Sequence, residues 1–79
     1  MNQEKFYSRK MTPVRILDDE NGARIVFLES ARFHVLAQDL PGFDSLLMIL
    51  RRAVEKADVV EVVTESIDSD VIKNIKPAM

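Results

Sequence analysis

The sequence has no cysteine and no tryptophan, a single histidine and only two glycines among its 79 residues. Without cysteine there is no disulfide, no thiolate nucleophile and no thiolate metal ligand. The two glycines, Gly22 and Gly42, are too few and too far apart for a glycine-rich phosphate loop. His34 has no second histidine with which to share a metal or divide acid and base roles. No serine stands in a G-x-S-x-G setting. No run approaches the ~18 apolar residues of a membrane-spanning helix. The first ten residues, MNQEKFYSRK, lack the apolar centre of a signal peptide. A cytoplasmic protein with no enzymatic role, no metal and no cofactor is the expectation from these gaps.

What is present is globular. Hydrophobic residues make up 47% of the chain and charged residues 30%, a balance that folds. The length allows one domain with a marginal core. The net charge of -2 gives no overall basic excess for nucleic acid. The charge is nevertheless polarised. Within residues 1–15, Lys5, Arg9, Lys10 and Arg15 oppose only Glu4, whereas within residues 55–70, Glu55, Asp58, Glu61, Glu65, Asp68 and Asp70 oppose only Lys56.

Residues 1–11 show no clean period and read as a loose N-terminal arm ahead of a single domain at 12–76. TPVRIL and ARIVFLE flank DDENG and read as a hairpin, with Asn21-Gly22 as a two-residue turn. That turn pairs Leu17 with Val26, Ile16 with Phe27 and Asp19 with Arg24. One face then carries Val14, Ile16, Ile25 and Phe27, and the other Arg15, Leu17, Val26 and Leu28. RFHVLA at 32–37 reads as a third strand, joined by a second hairpin or, alternatively, continuing residues 24–37 as one long bent strand. Residues 39–57 read as a helix, with Asp39 or Asp44 as N-cap. Phe43, Leu46, Leu47, Ile49, Leu50, Ala53, Val54 and Ala57 form its apolar arc; Met48 falls on the polar side. VVEVVTE at 59–65 reads as an inner strand. At 66–76, Ile67, Val71, Ile72 and Ile75 fit a short helical stripe, capped by Ser66 or Ser69, better than a strand. The expected class is α+β, a small antiparallel sheet in the order β-β-β-α-β plus a short terminal element, packed on one amphipathic helix.

Few residues suggest chemistry. His34 lies between Phe33 and Val35 on the opposite strand face and reads as structural. Asp18, Asp19 and Glu20 lack the spacing of a calcium loop and read as turn residues. Two functions compete. The first is a small non-enzymatic interaction or regulatory module that self-associates as a homodimer, or meets another protein, through Leu17, Val26, Leu28 and Met48; Leu28→Asp is then expected to dissociate it. The alternative is a nucleic-acid-binding accessory protein using Lys5, Arg9, Lys10 and Arg15 with Arg51 and Arg52 on the helix.

Overall fold

The structure is a computed structural model and describes residues 6–78. Six strands and one helix follow in the order β1 (Tyr7–Met11), β2 (Pro13–Asp19), β3 (Gly22–Phe27), β4 (His34–Ala37), α1 (Phe43–Lys56), β5 (Val60–Thr64) and β6 (Ile72–Pro77). They form two antiparallel three-stranded sheets, β1-β5-β6 and β2-β3-β4. The α+β class holds, and the expected single sheet becomes two because β1 and β6 add a strand each.

β1 lies in what reads as a loose arm. Its residues 7–11 pair with β5 from Tyr7 opposite Thr64 to Met11 opposite Val60. Residues 1–5 of that arm, Lys5 among them, lie outside the described residues. β1 was hidden because Ser8, Arg9 and Lys10 are exposed and Met11 alone is fully buried, at 2% exposure. Its partner is fifty residues away, beyond the reach of any local pattern.

The first hairpin forms, with a register two residues from the expected one. Leu17 pairs with Arg24, Ile16 with Ile25 and Asp19 with Gly22. Glu20 and Asn21 therefore make the turn, and Gly22 opens β3. A slip of two preserves the faces of a pleated strand, so Ile25 and Phe27 point inward as expected. Val14 does not: an irregularity between Pro13 and Arg15 leaves it as the extra residue, outside the ladder and exposed. Gly22 has φ +145°, and a Cβ there would stand 2.1 Å from the Leu36 carbonyl oxygen. Glycine is required at this position both by conformation and by the approach of β4. The second hairpin is as expected, with β3 and β4 paired from Gly22 opposite Ala37 to Ile25 opposite His34.

The helix starts at Phe43, the first residue of its apolar arc, rather than at residue 39. Its N-cap is Gly42, in the left-handed region at φ 81° with no side-chain cap, so neither Asp39 nor Asp44 caps it. The Leu40 amide donates to Ala37 O and the Phe43 amide to Leu40 O, holding residues 37–43 in tight turns around Pro41. At the other end Ala57 takes a left-handed conformation, and the Asp58 amide donates to Ala53 O. Leu46, Leu50 and Ala53 are buried, whereas Met48 is exposed.

The terminal segment is a strand rather than the expected short helix. β6 pairs with β5 from Val60 opposite Pro77 to Thr64 opposite Ile72, with one extra residue, Lys73, opposite the Val63–Thr64 step. That bulge turns Ile72 and Ile75 to the same side, and both are buried. Three-residue spacing imitates a helical stripe, which is why the pattern misleads. The serines expected as helix caps make turn bonds instead: Ser69 Oγ accepts from the Val71 amide, and Thr64 Oγ1 donates to Ser66 O.

The sheets join along two seams. At one, the chain passes from β1 into β2 through Thr12, whose carbonyl accepts from the Leu28 amide at 2.8 Å. At the other, Val35 of β4 bridges Val71 in parallel, and its amide donates to Asp70 O at 2.8 Å. A single core fills the space between them, including Met11, Ile25, Phe27 and Leu36 with Leu50, Val62 and Ile75. No described helix is long and apolar enough to cross a membrane.

Two expectations follow for urea unfolding. Gly22→Ala costs about 3 kcal/mol through strain and the clash with Leu36 O, whereas Gly42→Ala, with nothing within 4 Å of its Cβ, costs about 1–2 kcal/mol of left-handed strain alone. Phe27→Ala costs about 3–5 kcal/mol, whereas Leu28→Asp, at a side chain 72% exposed, shifts stability by less than about 0.5 kcal/mol.

Candidate functional site: a polar cavity at the seam of the two sheets

The densest collection of polar side chains around a cavity sits where β1, β4 and β5 approach the loops after β3 and β5. The cavity is small, about 30 Å³. Arg9 and Tyr7 reach it from β1, and Ser30, Arg32 and His34 from the loop before β4 and its first residue. Thr64 and Ser69 come from the end of β5 and the turn after it, while Met11, Val62 and Ile67 supply apolar wall.

Local structure places each group. Alternation along β4 turns His34 inward and Phe33 outward. His34 is 6% exposed, and its ring stands edge-to-face on Phe27, with centroids 5.2 Å apart and planes at 88°. Its Nδ1 is buried without a hydrogen-bond partner. Burial holds the His34 pKa below the ordinary histidine value, and outweighs the opposite pull of the Asp70 carboxylate. Asp70 itself lies with Oδ1 3.1 Å from Arg32 Nη2.

Arg9 is held by the Thr12 seam. Its Nη2 donates to Glu29 O at 3.1 Å. The Glu29 carboxylate in turn accepts from the Thr12 amide at 2.6 Å and from the Thr12 hydroxyl at 2.8 Å. Desolvation pushes the Glu29 pKa up, but the two bonds from Thr12, with its own backbone amide and the Arg9 charge, together outweigh it and leave the carboxyl below its usual range. The clamp thus fixes an ionised glutamate, the β1–β2 crossing and an arginine in one cluster. The remaining polar face of β1 is turned away, with Ser8 Oγ donating to the Glu61 carboxylate.

The residues singled out in the sequence are dispersed. Leu17 and Val26 share the outer face of the β2-β3-β4 sheet and are partly buried. Leu28 projects from the loop after β3, and Met48 from the open side of α1, both exposed. Arg15 lies on the outer face of β2, Lys10 on β1 opposite Glu61, and Arg51 and Arg52 on the helix. Only Arg9 and His34 come together at the cavity. Asp19 ends β2 rather than sitting in the turn, with Oδ2 2.8 Å from Arg24 Nε. The amide of Asn21, followed by Arg24, holds its carboxyl below the usual value. Tyr7, Ser30, Arg32, Thr64 and Ser69 had no local signal as site residues, because long-range strand pairing assembles them.

The class of molecule this geometry defines is an α+β domain with two seamed sheets and a polar cavity at one seam. No family model matches the chain, and no curated protein matches it. Among solved structures it is similar to pro-protein-glutaminase, with a TM-score of 0.78 and 21% identity over 89% of this chain and 24% of that one. It is similar also to a mutant of pro-protein-glutaminase, with a TM-score of 0.82 and 20% identity over 95% of this chain and 26% of that one. The likeness is one of fold, and the chain spans about a quarter of the length of the solved chains it matches. It overturns the expectation of a non-enzymatic association module, with its nucleic-acid alternative, and of a chain without enzymatic connection: the fold is one found within an enzyme precursor.

The buried histidine makes stability depend on pH. With its folded pKa lowered, the unfolded chain takes up the proton first. The stability contributed by neutral His34 is complete above the unfolded value of about 6.5 and declines as pH falls below it. Urea midpoints at pH 7.5 and 5.5 should therefore fall for the native chain, and the fall should shrink in His34→Gln. Glu29 acts in a lower window: its contribution is present above the ordinary glutamate value and is lost as pH falls through its depressed pKa. A separate drop below about pH 4.5 should therefore be missing in Glu29→Gln.

Proposed function

We propose that this chain works as one domain of an enzyme of the protein-glutaminase kind, taking part in hydrolysis of glutamine side-chain amides in proteins. The observation that carries this reading is the extent of the likeness: 95% of the chain follows the fold of one quarter of a pro-protein-glutaminase chain. The residues set the division of labour. The sequence has no cysteine, and His34 is packed on Phe27 with its buried Nδ1 bonded to no hydroxyl. A covalent attack on an amide needs an activated nucleophile within hydrogen-bond reach of its base. That pair therefore comes from another part of the enzyme, and this domain acts on how the enzyme meets its protein substrate.

The test is ammonia release from a glutamine-containing protein, measured for the chain alone and for a mature protein-glutaminase with and without the chain. The chain alone should release none. Added in tenfold molar excess, it should change the enzyme's rate at least about fivefold, equivalent to about 1 kcal/mol in the barrier. A rate unchanged by the chain overturns the reading.

A further inference from the structure

The two sheets differ on the sides they turn away from the core. On β1-β5-β6 the outward strand positions are polar, with Ser8, Lys10, Glu61, Asn74 and Lys76 around Val63. That is the ordinary pattern of an antiparallel sheet with one solvated face. The β2-β3-β4 sheet breaks it. Its inner positions join the core with α1, yet Leu17, Val26 and Val35 take outward positions on three adjacent strands. Phe33, just before β4, points to the same side as Val35 and is 49% exposed. Val71, bridged to Val35, extends the face across the seam and is 42% exposed. Leu28 continues the outward line of β3 past Val26 and is exposed. One sheet is therefore apolar on both sides, and its outer side is a contiguous patch of the kind that marks a contact. The charges at its outward strand positions are Arg15, Arg24 and Asp19. Asp19 is taken by Arg24 at 2.8 Å, and Arg15 has no ion pair among the described residues. A second copy docked face to face would bury Arg15 against a face with no free carboxylate, whereas an isologous contact must complement itself. The face calls for an apolar partner that carries an acidic residue.

We propose that the outer face of the β2-β3-β4 sheet is the surface by which this domain docks on the body of the enzyme, against an apolar patch whose carboxylate meets Arg15. The inference rests on the enzyme-domain reading and names its contact. The matched unit makes up about a quarter of the solved chains with this fold, and the rest of such a chain is the surface at hand to cover an apolar face. Val26 and Phe33 lie at the centre, where aliphatic and aromatic anchors contribute most. Arg15 sits opposite Val26, and its pairing with a carboxylate there sets the orientation of docking. Alternation along β4 keeps His34 on the other side of the sheet, so docking leaves the buried histidine in place.

The experiment is isothermal titration calorimetry of the full chain against a mature protein-glutaminase, with ammonia release measured on the same mixtures. The native chain should bind. Leu28→Asp and Arg15→Glu should each raise Kd at least about tenfold. Both side chains are exposed, and thermal unfolding checks that each variant is folded; Val71→Lys, also exposed, replaces either one that is not. Met48→Asp, on the open side of α1, should bind as the native chain does. No binding, full affinity in the face variants, or an equal loss in Met48→Asp would each overturn the docking surface. A chain that is dimeric by light scattering and monomeric as Leu28→Asp gives the face to a second copy, and binding of a glutamine-containing protein in place of the enzyme gives it to the substrate; either result overturns the assignment. The two readings fail separately. Binding that depends on the face, with ammonia release unchanged, removes the enzyme-domain reading and leaves the contact. A changed rate that is the same for every variant removes the contact and leaves that reading.

Discussion

The structure depends on closing two sheets against each other with a chain that must cross from one to the other. At Thr12 the crossing is held by the Glu29 carboxylate, which takes both the Thr12 amide and its hydroxyl. The carbonyl of Thr12 meanwhile continues the β2–β3 ladder through the Leu28 amide. A backbone that leaves one sheet for another must leave ladder positions unpaired. A single ionised side chain repairs that loss here, and its two acceptor oxygens suit the two donors of one threonine. At the opposite seam the Val35 amide donates to Asp70 O and Val35 bridges Val71, and the Arg32–Asp70 ion pair spans the same junction. Between the seams Phe27, Ile25 and Val62 pack as one core with the helix.

The same closure creates the cavity. Arg9 is brought to the seam because β1 lies beside β5, and it stays there because Glu29 O accepts its guanidinium. His34 begins β4 just where the second hairpin returns, so it is buried rather than displayed. A neutral, desolvated imidazole beside an Arg32–Asp70 ion pair is a stable arrangement near neutral pH and a less stable one in acid. The interior thus carries a polar pocket at a place where most small domains carry only aliphatic packing.

The likeness to pro-protein-glutaminase changes how the small size is understood. A domain this short has a limited core when it stands alone. The same fold occurs within about a quarter of a longer solved chain. Leu17 and Val26 lie on the outer face of the β2-β3-β4 sheet, Leu28 just beyond β3 and Met48 on the exposed side of the helix.

Much of the chain's local order is legible from residue pattern alone. The β2–β3 hairpin, β4, the helical arc of Leu46, Leu50 and Ala53, and the inner strand β5 all follow from period and β-branching, because each is a short-range property. The faces of the first hairpin survive a register two residues off, because the pleat repeats every two residues. Three features are decided only by tertiary structure. β1 exists because β5 offers it an edge, and its own exposed residues announce nothing. β6 is a strand because pairing with β5 outweighs a three-residue isoleucine spacing that a bulge produces. The cavity is assembled from β1, β4 and β5 and two loops, and no local period can bring Arg9, Arg32, His34 and Ser69 together. Sequence determined which stretches are apolar on one side, since that is written in neighbouring residues. Closure of the two sheets decided what those stretches pair with and what polar groups they enclose, since that is a matter of contacts between residues far apart in the chain.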